Sequence, residues 1–112
     1  MIITDFTHEH IESASRIARQ NYEEARGFVH ALPPMDTFPD ISKFVNNNMG
    51  IVALDGDKMV GFLCAYSPFG NAFGTTGVLG TWSPLHAHAA IRENRTYIYR
   101  RMYQAAAEKW VS

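Results

Sequence analysis

The stretch that decides the fold runs from Ile51 to Tyr66 and reads IVALDGDKMVGFLCAY. A short apolar run, Ile51–Leu54, precedes the charged turn DGDK, and a longer apolar run, Met59–Ser67, follows it. Asp-Gly between two apolar runs is the strongest short-range signature of a β-hairpin. The stretch therefore predicts two antiparallel strands that turn at Asp55-Gly56.

Upstream of the hairpin, the sequence predicts a strand and an amphipathic helix. The short apolar run Met1–Phe6 is typical of an edge strand. Thr7 is a candidate N-cap, and Gly27 is a candidate stop signal. Between them, apolar residues recur every three or four positions, which places them on one face of a helix: Ile11, Ala14, Ala18, Tyr22 and Ala25.

Four further elements complete the predicted order. Three prolines make residues 28–39 a loop, and a short helix begins at the candidate cap Asp40 and ends at the asparagine run 46–48. Val78 to about Leu85 can form another strand. A last helix, capped by Asn94 or Thr96, carries the apolar stripe Tyr99, Met102, Tyr103, Ala106 and Trp110. No stop signal follows this stripe, so we expect the chain to be cut off before the fold is complete.

Composition narrows the class of protein. Of the 112 residues, 46% are hydrophobic and the formal net charge is −1, as in one folded domain rather than a disordered chain. The small net charge argues against nucleic acid or an acidic membrane surface as a partner. No apolar run is long enough to span a bilayer and no secretory signal begins the chain, so we expect a cytoplasmic protein. The single cysteine, Cys64, excludes an intrachain disulfide and a multi-thiolate metal site.

The predicted order of strand, helix, short helix, hairpin, strand and helix resembles the first half of the GNAT-type N-acetyltransferase fold. The hairpin is similar to the family's second and third strands, and ENRTYIYRRMYQAAAEKW (residues 93–110) is similar to the helix after its fourth strand. The resemblance implies an α+β fold, an incomplete GNAT-like (acyl-CoA N-acyltransferase) fold with a mixed, mainly antiparallel sheet flanked by helices. Residues 1–112 would form a single partial domain.

The same resemblance implies a reaction. The parent activity is transfer of an acetyl group from acetyl-CoA to an amine, by direct attack of the neutral amine on the thioester. The acceptor would be a small-molecule or peptide amine. The later strand and the general acid common in the family lie beyond Ser112, so no catalytic residue is assigned and we expect this fragment to be inactive.

The resemblance also implies where acetyl-CoA binds. In the family, pantetheine pairs with the main chain where the fourth strand splays, which corresponds here to PLHAHAA (residues 84–90). Pyrophosphate binds at the start of the next helix through an Arg or Gln followed by two glycine positions. Arg95 matches the first place, whereas Ile98 and Arg100 stand at the glycines, which normally let backbone amides approach phosphate. The implied cofactor-binding residues are Leu85, His86, Ala87, His88, Ala89, Ala90, Arg92, Arg95 and Thr96.

Each of these assignments has a structural alternative. The small residues of 84–90 can equally form a tight strand-to-helix turn, and Arg92, Arg95, Arg100 and Arg101 can form a solvated helix face. The pair His86 and His88 can ligate zinc, act as acid or base, or serve as structural polar residues. No spacing specifies a third zinc ligand, so we expect no metal.

The last expectations concern substrate and assembly. By family analogy, the proline-rich loop lines the acceptor side with Phe28, His30, Met35 and Phe38, although apolar loop residues are more often simply packed. An exposed strand edge and a partly covered last helix predict a homo-oligomer through residues 78–112. The competing hypothesis is a non-catalytic binding or dimerisation module that retains half an acetyltransferase fold.

Overall fold

The computed structural model describes residues 1–28, 41–66, 83 and 87–110. The elements are β1 (Ile2–Asp5), a 3-10 turn (His8–His10), α1 (Ile11–Phe28), α2 (Ser42–Asn46), β2 (Gly50–Asp55), β3 (Lys58–Cys64), β4 (His88–Ala90) and α3 (Arg95–Trp110). The four strands form one antiparallel sheet in the order β1-β2-β3-β4. This confirms the α+β class and the antiparallel sheet with helices that the sequence predicts.

The hairpin of β2 and β3 forms as predicted. Its two turn residues are Gly56 and Asp57, one position later than the expected Asp55-Gly56. Gly56 has a φ of +64°, a left-handed conformation at the first central position of the turn. Glycine at this position is typical of the type II′ turn, whose twist matches that of the flanking strands.

Both faces of the sheet are covered. In β3 every residue after the first is buried, and successive strand side chains point to opposite faces. Gly61 faces α3, because a Cβ there would lie 2.9 Å from Cγ2 of Ile98 and 3.1 Å from Cε of Met102. Phe62 points to the opposite face, where its ring meets the ring of Phe6 edge-on at 6.0 Å. On this face α1 packs against β3 and β4.

The start of α1 differs in detail from the prediction. Thr7 precedes the 3-10 turn rather than α1 itself, and its backbone N–H donates to Nδ1 of His10 over 3.0 Å. The imidazole thus satisfies a backbone donor, as the acidic residue of a capping box does. The helix also turns Ile17, outside the predicted stripe, into the core. Of the predicted stripe, Ala14 and Ala18 are buried, Ile11 and Tyr22 are half-buried, and Ala25 is exposed.

The short helix α2 ends at the asparagine run, as expected. Asn48 has a φ of +55°, and the N–H of Met49 donates to the carbonyl oxygen of Phe44 over 2.7 Å. An asparagine in the left-handed region is a common helix stop. The expected cap, Asp40, lies outside the described residues.

The described β4 lies later in the chain than the predicted strand. Val78 to Leu85 falls outside the described residues, apart from Ser83. The sequence places His88 between a strand and the last helix, whereas the structure places it in β4, opposite Leu63 of β3. The pairing continues on both sides, because Cys64 donates to the Ala87 carbonyl over 2.8 Å. Small residues allow this strand to fit between the two helices.

The last helix, α3, begins directly after Asn94, which has a φ of +59°. Thr96 therefore lies inside the helix and is not its cap. The buried face of α3 is formed by Ile98, Met102, Ala106 and Trp110. The predicted stripe is correct for Met102, Ala106 and Trp110. Tyr103, however, is 54% exposed, and Ile98, outside the predicted stripe, is buried in the core.

Candidate functional site

A cleft opens at the outer edge of β4. Within the described residues β4 pairs with β3 alone, and residues of α1 together with Tyr99 of α3 line a cleft beside His88 and Ala89. The cleft has a volume of about 360 Å³ and is hereafter the edge cleft; its lining residues are Ala18, Asn21, Tyr22, Ala25, His88, Ala89 and Tyr99. Three alanines and two tyrosines make its lining mainly apolar, and concave apolar surfaces of this kind bind small molecules.

A polar network crosses the end of this cleft. The carbonyl oxygen of Ala90 accepts hydrogen bonds from Nδ2 of Asn21 and from Nε of Arg95, each over 3.0 Å. Nη2 of Arg95 also donates to Oδ1 of Asn21 and to Oε2 of Glu24, each over 3.1 Å. We call these four groups the Arg95 network. It joins α1, β4 and α3 at one point.

Local sequence explains how the network assembles. Asn21 and Glu24 are three residues apart on α1, so their side chains lie on the same helix face. Asn94, in its left-handed conformation, turns the chain from β4 into α3 and brings Arg95 into the first helical turn. A second arginine, Arg92, lies farther from the same carboxylate, with Nη1 3.8 Å from Oε1 of Glu24.

His88 and Tyr99 form the opposite side of the edge cleft. The Oγ of Ser83 lies 2.8 Å from Nδ1 of His88, and the His88 ring meets the Tyr99 ring edge-on at 6.3 Å. Burial raises the pKa of Tyr99, and the nearby Tyr103 adds to the effect, while Arg95 and a hydrogen bond to the Ala90 backbone oppose it. Tyr99 therefore stays a neutral phenol, able to donate a hydrogen bond, over the physiological pH range.

A second, more polar groove lies beyond the Arg95 network. Its volume is about 590 Å³ and it runs between α1, the hairpin turn and residues 91–93. Asn21 lines both this groove and the edge cleft. The groove carries acidic and basic side chains together: Arg16, Glu24, Asp57, Lys58, Arg92 and Glu93. The Arg95 network thus stands between an apolar cleft and a polar groove.

Three tyrosines of α3 lie outside its buried face: Tyr97, Tyr99 and Tyr103. Tyr99 and Tyr103 stack with their ring centroids 5.7 Å apart and an angle of 14° between the planes. Nη1 of Arg101 donates to the hydroxyl of Tyr97 over 3.0 Å. Tyr97 and Tyr103, the two exposed rings, lie about 120° apart around the helix, so they belong to different sides of α3.

The structure brings several of the predicted cofactor residues together. Ala87, Ala89 and Ala90 are buried in or beside β4, and Arg95 and Thr96 lie in the first turn of α3. Arg92 is exposed near Glu24. Other predicted site residues lie outside the described part of the chain: Leu85, His86, His30, Met35, Phe38 and the side chain of Phe28. The roles assigned to all these residues remain predictions.

Sequence reasoning missed Asn21, Glu24 and the position of Tyr99 at the cleft. Tyr22 and Tyr99 belong to apolar stripes, so the periodicity assigns them to the core. Asn21 and Glu24 resemble ordinary solvated positions of an amphipathic helix. The only signal is that Asn21 directly precedes Tyr22 of the apolar stripe, which places a polar amide at the edge of the buried face.

The start of α3 can be tested against the phosphate motif. Ile98, at the first expected glycine position, is directed into the core against Gly61 and does not stand over the first turn of the helix. Arg100, at the second, is exposed. The first-turn N–H groups of a helix lack intrahelical acceptors and favour anions.

Comparison of the chain with protein-family models, with curated proteins and with solved structures gives no match. In the part of the chain that the structure describes, neither α1 nor α3 combines the length and the apolar character needed to cross a membrane.

Proposed function

We propose that this chain forms the cofactor-facing part of a GNAT-type N-acetyltransferase that transfers an acetyl group from acetyl-CoA to an amine. The observation that carries the proposal is that the end of β4 lies against the first turn of α3, where Nε of Arg95 donates to the carbonyl oxygen of Ala90 over 3.0 Å. The order of elements and the antiparallel sheet order β1-β2-β3-β4 agree with what the resemblance implies. A ligand with an extended arm and a diphosphate would suit a strand edge beside a helix N-terminus.

The proposal gives each part of the site a task. The main chain of β4 would align the pantetheine arm, as an added strand does. The first turn of α3, with Arg95 and Arg92, would bind the diphosphate through backbone donors and charge. Tyr22 and Tyr99 would exclude water from the edge cleft. The bound thioester supplies the acyl group, and the chain contributes by orienting it for attack by a neutral amine.

Proton transfer is a separate requirement of the proposed reaction. An alkyl amine is mostly an ammonium ion at neutral pH and must lose a proton before the neutral amine can attack, and imidazole is the side chain best suited to accept that proton near neutral pH. His88 lines the edge cleft, so we propose it as the candidate acid or base.

Calorimetric titration of the protein with coenzyme A tests the proposal. We expect weak binding that Arg95→Ala reduces, because the substitution removes a positive charge from the start of α3. Lys43→Ala is the matched control, since it removes the same charge from an exposed position on α2. Binding that is the same in both variants would remove the reason for placing the diphosphate beside Arg95. Absence of binding in the wild type would count against the acyltransferase proposal itself.

One observation favours the second candidate, a non-catalytic binding or dimerisation module. Arg95 already has protein partners in Asn21, Glu24 and Ala90, as a purely structural residue would. The last helix, α3, also exposes Tyr97 and Tyr103. A module of this kind would ignore coenzyme A, so the titration discriminates the two candidates, whereas self-association through residues 78–112 is expected of both.

A further inference from the structure

Arg95 is held in place by a carboxylate that a bound anion would have to displace. Three of the five N–H donors of its guanidinium are directed to Ala90, Asn21 and Glu24. Only Glu24 among these partners carries a charge. An anion at the start of α3 would compete with that carboxylate for the same planar group.

The ion pair between Arg95 and Glu24 is weak enough for an anion to displace. The side chains of Arg95 and Glu24 keep 35% and 33% of their surface exposed, so water and salt weaken their attraction. Arg92 lies 3.8 Å from the other carboxylate oxygen. If Arg95 leaves, Glu24 therefore keeps a positive neighbour. A diphosphate carries more negative charge than one carboxylate, so it can draw Arg95 away.

We propose that Glu24 is a built-in competitor that holds Arg95 away from anionic ligands and so limits the affinity of the site for diphosphates. This inference rests on the proposed function, since it concerns regulation of the same site. The Asn21 amide keeps Arg95 aligned on the Ala90 carbonyl, so removal of the Glu24 charge loosens the arginine without removing it from the site. The weak binding of coenzyme A that we expect of the wild-type chain then has two causes, the Glu24–Arg95 ion pair and the absence of the two glycines.

The test is Glu24→Gln, titrated with coenzyme A and, separately, with inorganic pyrophosphate. Glutamine keeps an oxygen that can accept from Arg95 but lacks the charge. Loss of the attraction between Arg95 and Glu24 lowers the cost of releasing Arg95 to the anion, which for an exposed ion pair amounts to about a fivefold change in Kd. We therefore expect both probes to bind about fivefold tighter to Glu24→Gln. Glu23→Gln is the matched control. It removes the same charge from the neighbouring position, where Glu23 pairs with Arg26 instead.

The outcomes separate the inference from the proposed function. A gain for Glu24→Gln that disappears when Arg95→Ala is added supports the competition. Equal affinities for Glu24→Gln and Glu23→Gln overturn it, while measurable binding of coenzyme A by the wild type leaves the proposed function intact. If neither probe binds to any of the variants, the proposed function fails and the competition with it. Should Glu24→Gln not fold, Glu24→Asp shortens the reach of the carboxylate and is expected to shift both affinities in the same direction.

Discussion

Gly61→Ala tests how closely α3 packs on the sheet. The new methyl would lie 2.9 Å from Cγ2 of Ile98, 3.1 Å from Cε of Met102 and 3.2 Å from the carbonyl oxygen of Ala89. Met102 can move its flexible end, but Ile98 is branched at Cβ and the carbonyl belongs to β4, so α3 must shift outwards. Overpacking costs about 1–3 kcal/mol, and the stiffer unfolded chain offsets about 0.4–1 kcal/mol. We therefore expect a net loss of about 1–2 kcal/mol in the free energy of unfolding.

Thermal unfolding followed by circular dichroism measures this loss. With an unfolding entropy of roughly 2.1 cal/mol/K per residue, it corresponds to a fall in Tm of about 4–9 °C. Gly27→Ala is the control, because no atom lies within 4 Å of a Cβ at that position of α1. It should leave Tm unchanged or raise it slightly.

A Gly61→Ala variant as stable as the wild type would refute the close contact of α3 with β3. The double variant Gly61→Ala/Ile98→Ala shows whether the strain arises at the contact between these two residues. Ile98→Ala removes the nearest clashing atom, so it should cost less in the Gly61→Ala protein than in the wild type. An equal cost in both backgrounds would mean that the loss arises elsewhere than at the contact between these two residues.

The remaining predictions concern one ion pair, one thiol and one exposed ring. Lys109 donates to Asp5 over 2.6 Å at the surface. Asp5→Asn should therefore lower the free energy of unfolding by at most about 1 kcal/mol, and by less at high salt. Urea titrations at two ionic strengths measure this difference, and an effect independent of salt would contradict an electrostatic origin. Burial raises the pKa of Cys64 from 9.0 to about 12. The unfolded thiol ionises first, so stability should fall as the pH rises through this window, and Cys64→Ala should show a shallower decline. Tyr103→Glu should leave the far-UV circular dichroism spectrum unchanged, because the ring is 54% exposed. It should convert the expected dimer to a monomer in sedimentation velocity, and an unchanged sedimentation coefficient would exclude Tyr103 from the interface.

The hairpin could be predicted because its determinants are local. The turn needs one left-handed residue, Gly56, and the two strands are continuous apolar runs on either side of it. Such runs arise because both faces of the sheet are covered, so alternation is lost and the strands remain recognisable by length and turn residues. The periodicity of apolar residues also predicts α1 and α3. The rotation of each helix about its own axis could not be predicted exactly, because it depends on how the helix packs against the sheet. Ile17 is buried although it lies outside the predicted stripe, and Tyr103 is exposed although it belongs to one.

The candidate site could not be predicted in the same way. Asn21 bonds to Ala90 across 69 residues of sequence, and Arg95 reaches Asn21 across 74. Nothing in the periodicity of α1 connects it to β4, because such contacts follow from how the elements pack. The position of β4 was missed for a related reason. A strand of three small residues has no alternation to recognise, and its pairing with β3 defines it.

Arg95 shows why position in a motif leaves a side chain's role open. The sequence offers two roles, a phosphate ligand and a solvated surface charge, and the contacts show a third, a tie between α1, β4 and α3. These roles are compatible, because a planar guanidinium can exchange one carboxylate for another anion without a change in its charge. Loss of coenzyme A binding in Arg95→Ala would therefore have two explanations, a missing ligand or a displaced helix. Glu24→Gln keeps Arg95 and removes a negative charge beside it, so a gain in affinity that is lost again in the Glu24→Gln/Arg95→Ala double variant identifies Arg95 as a group that binds the anion.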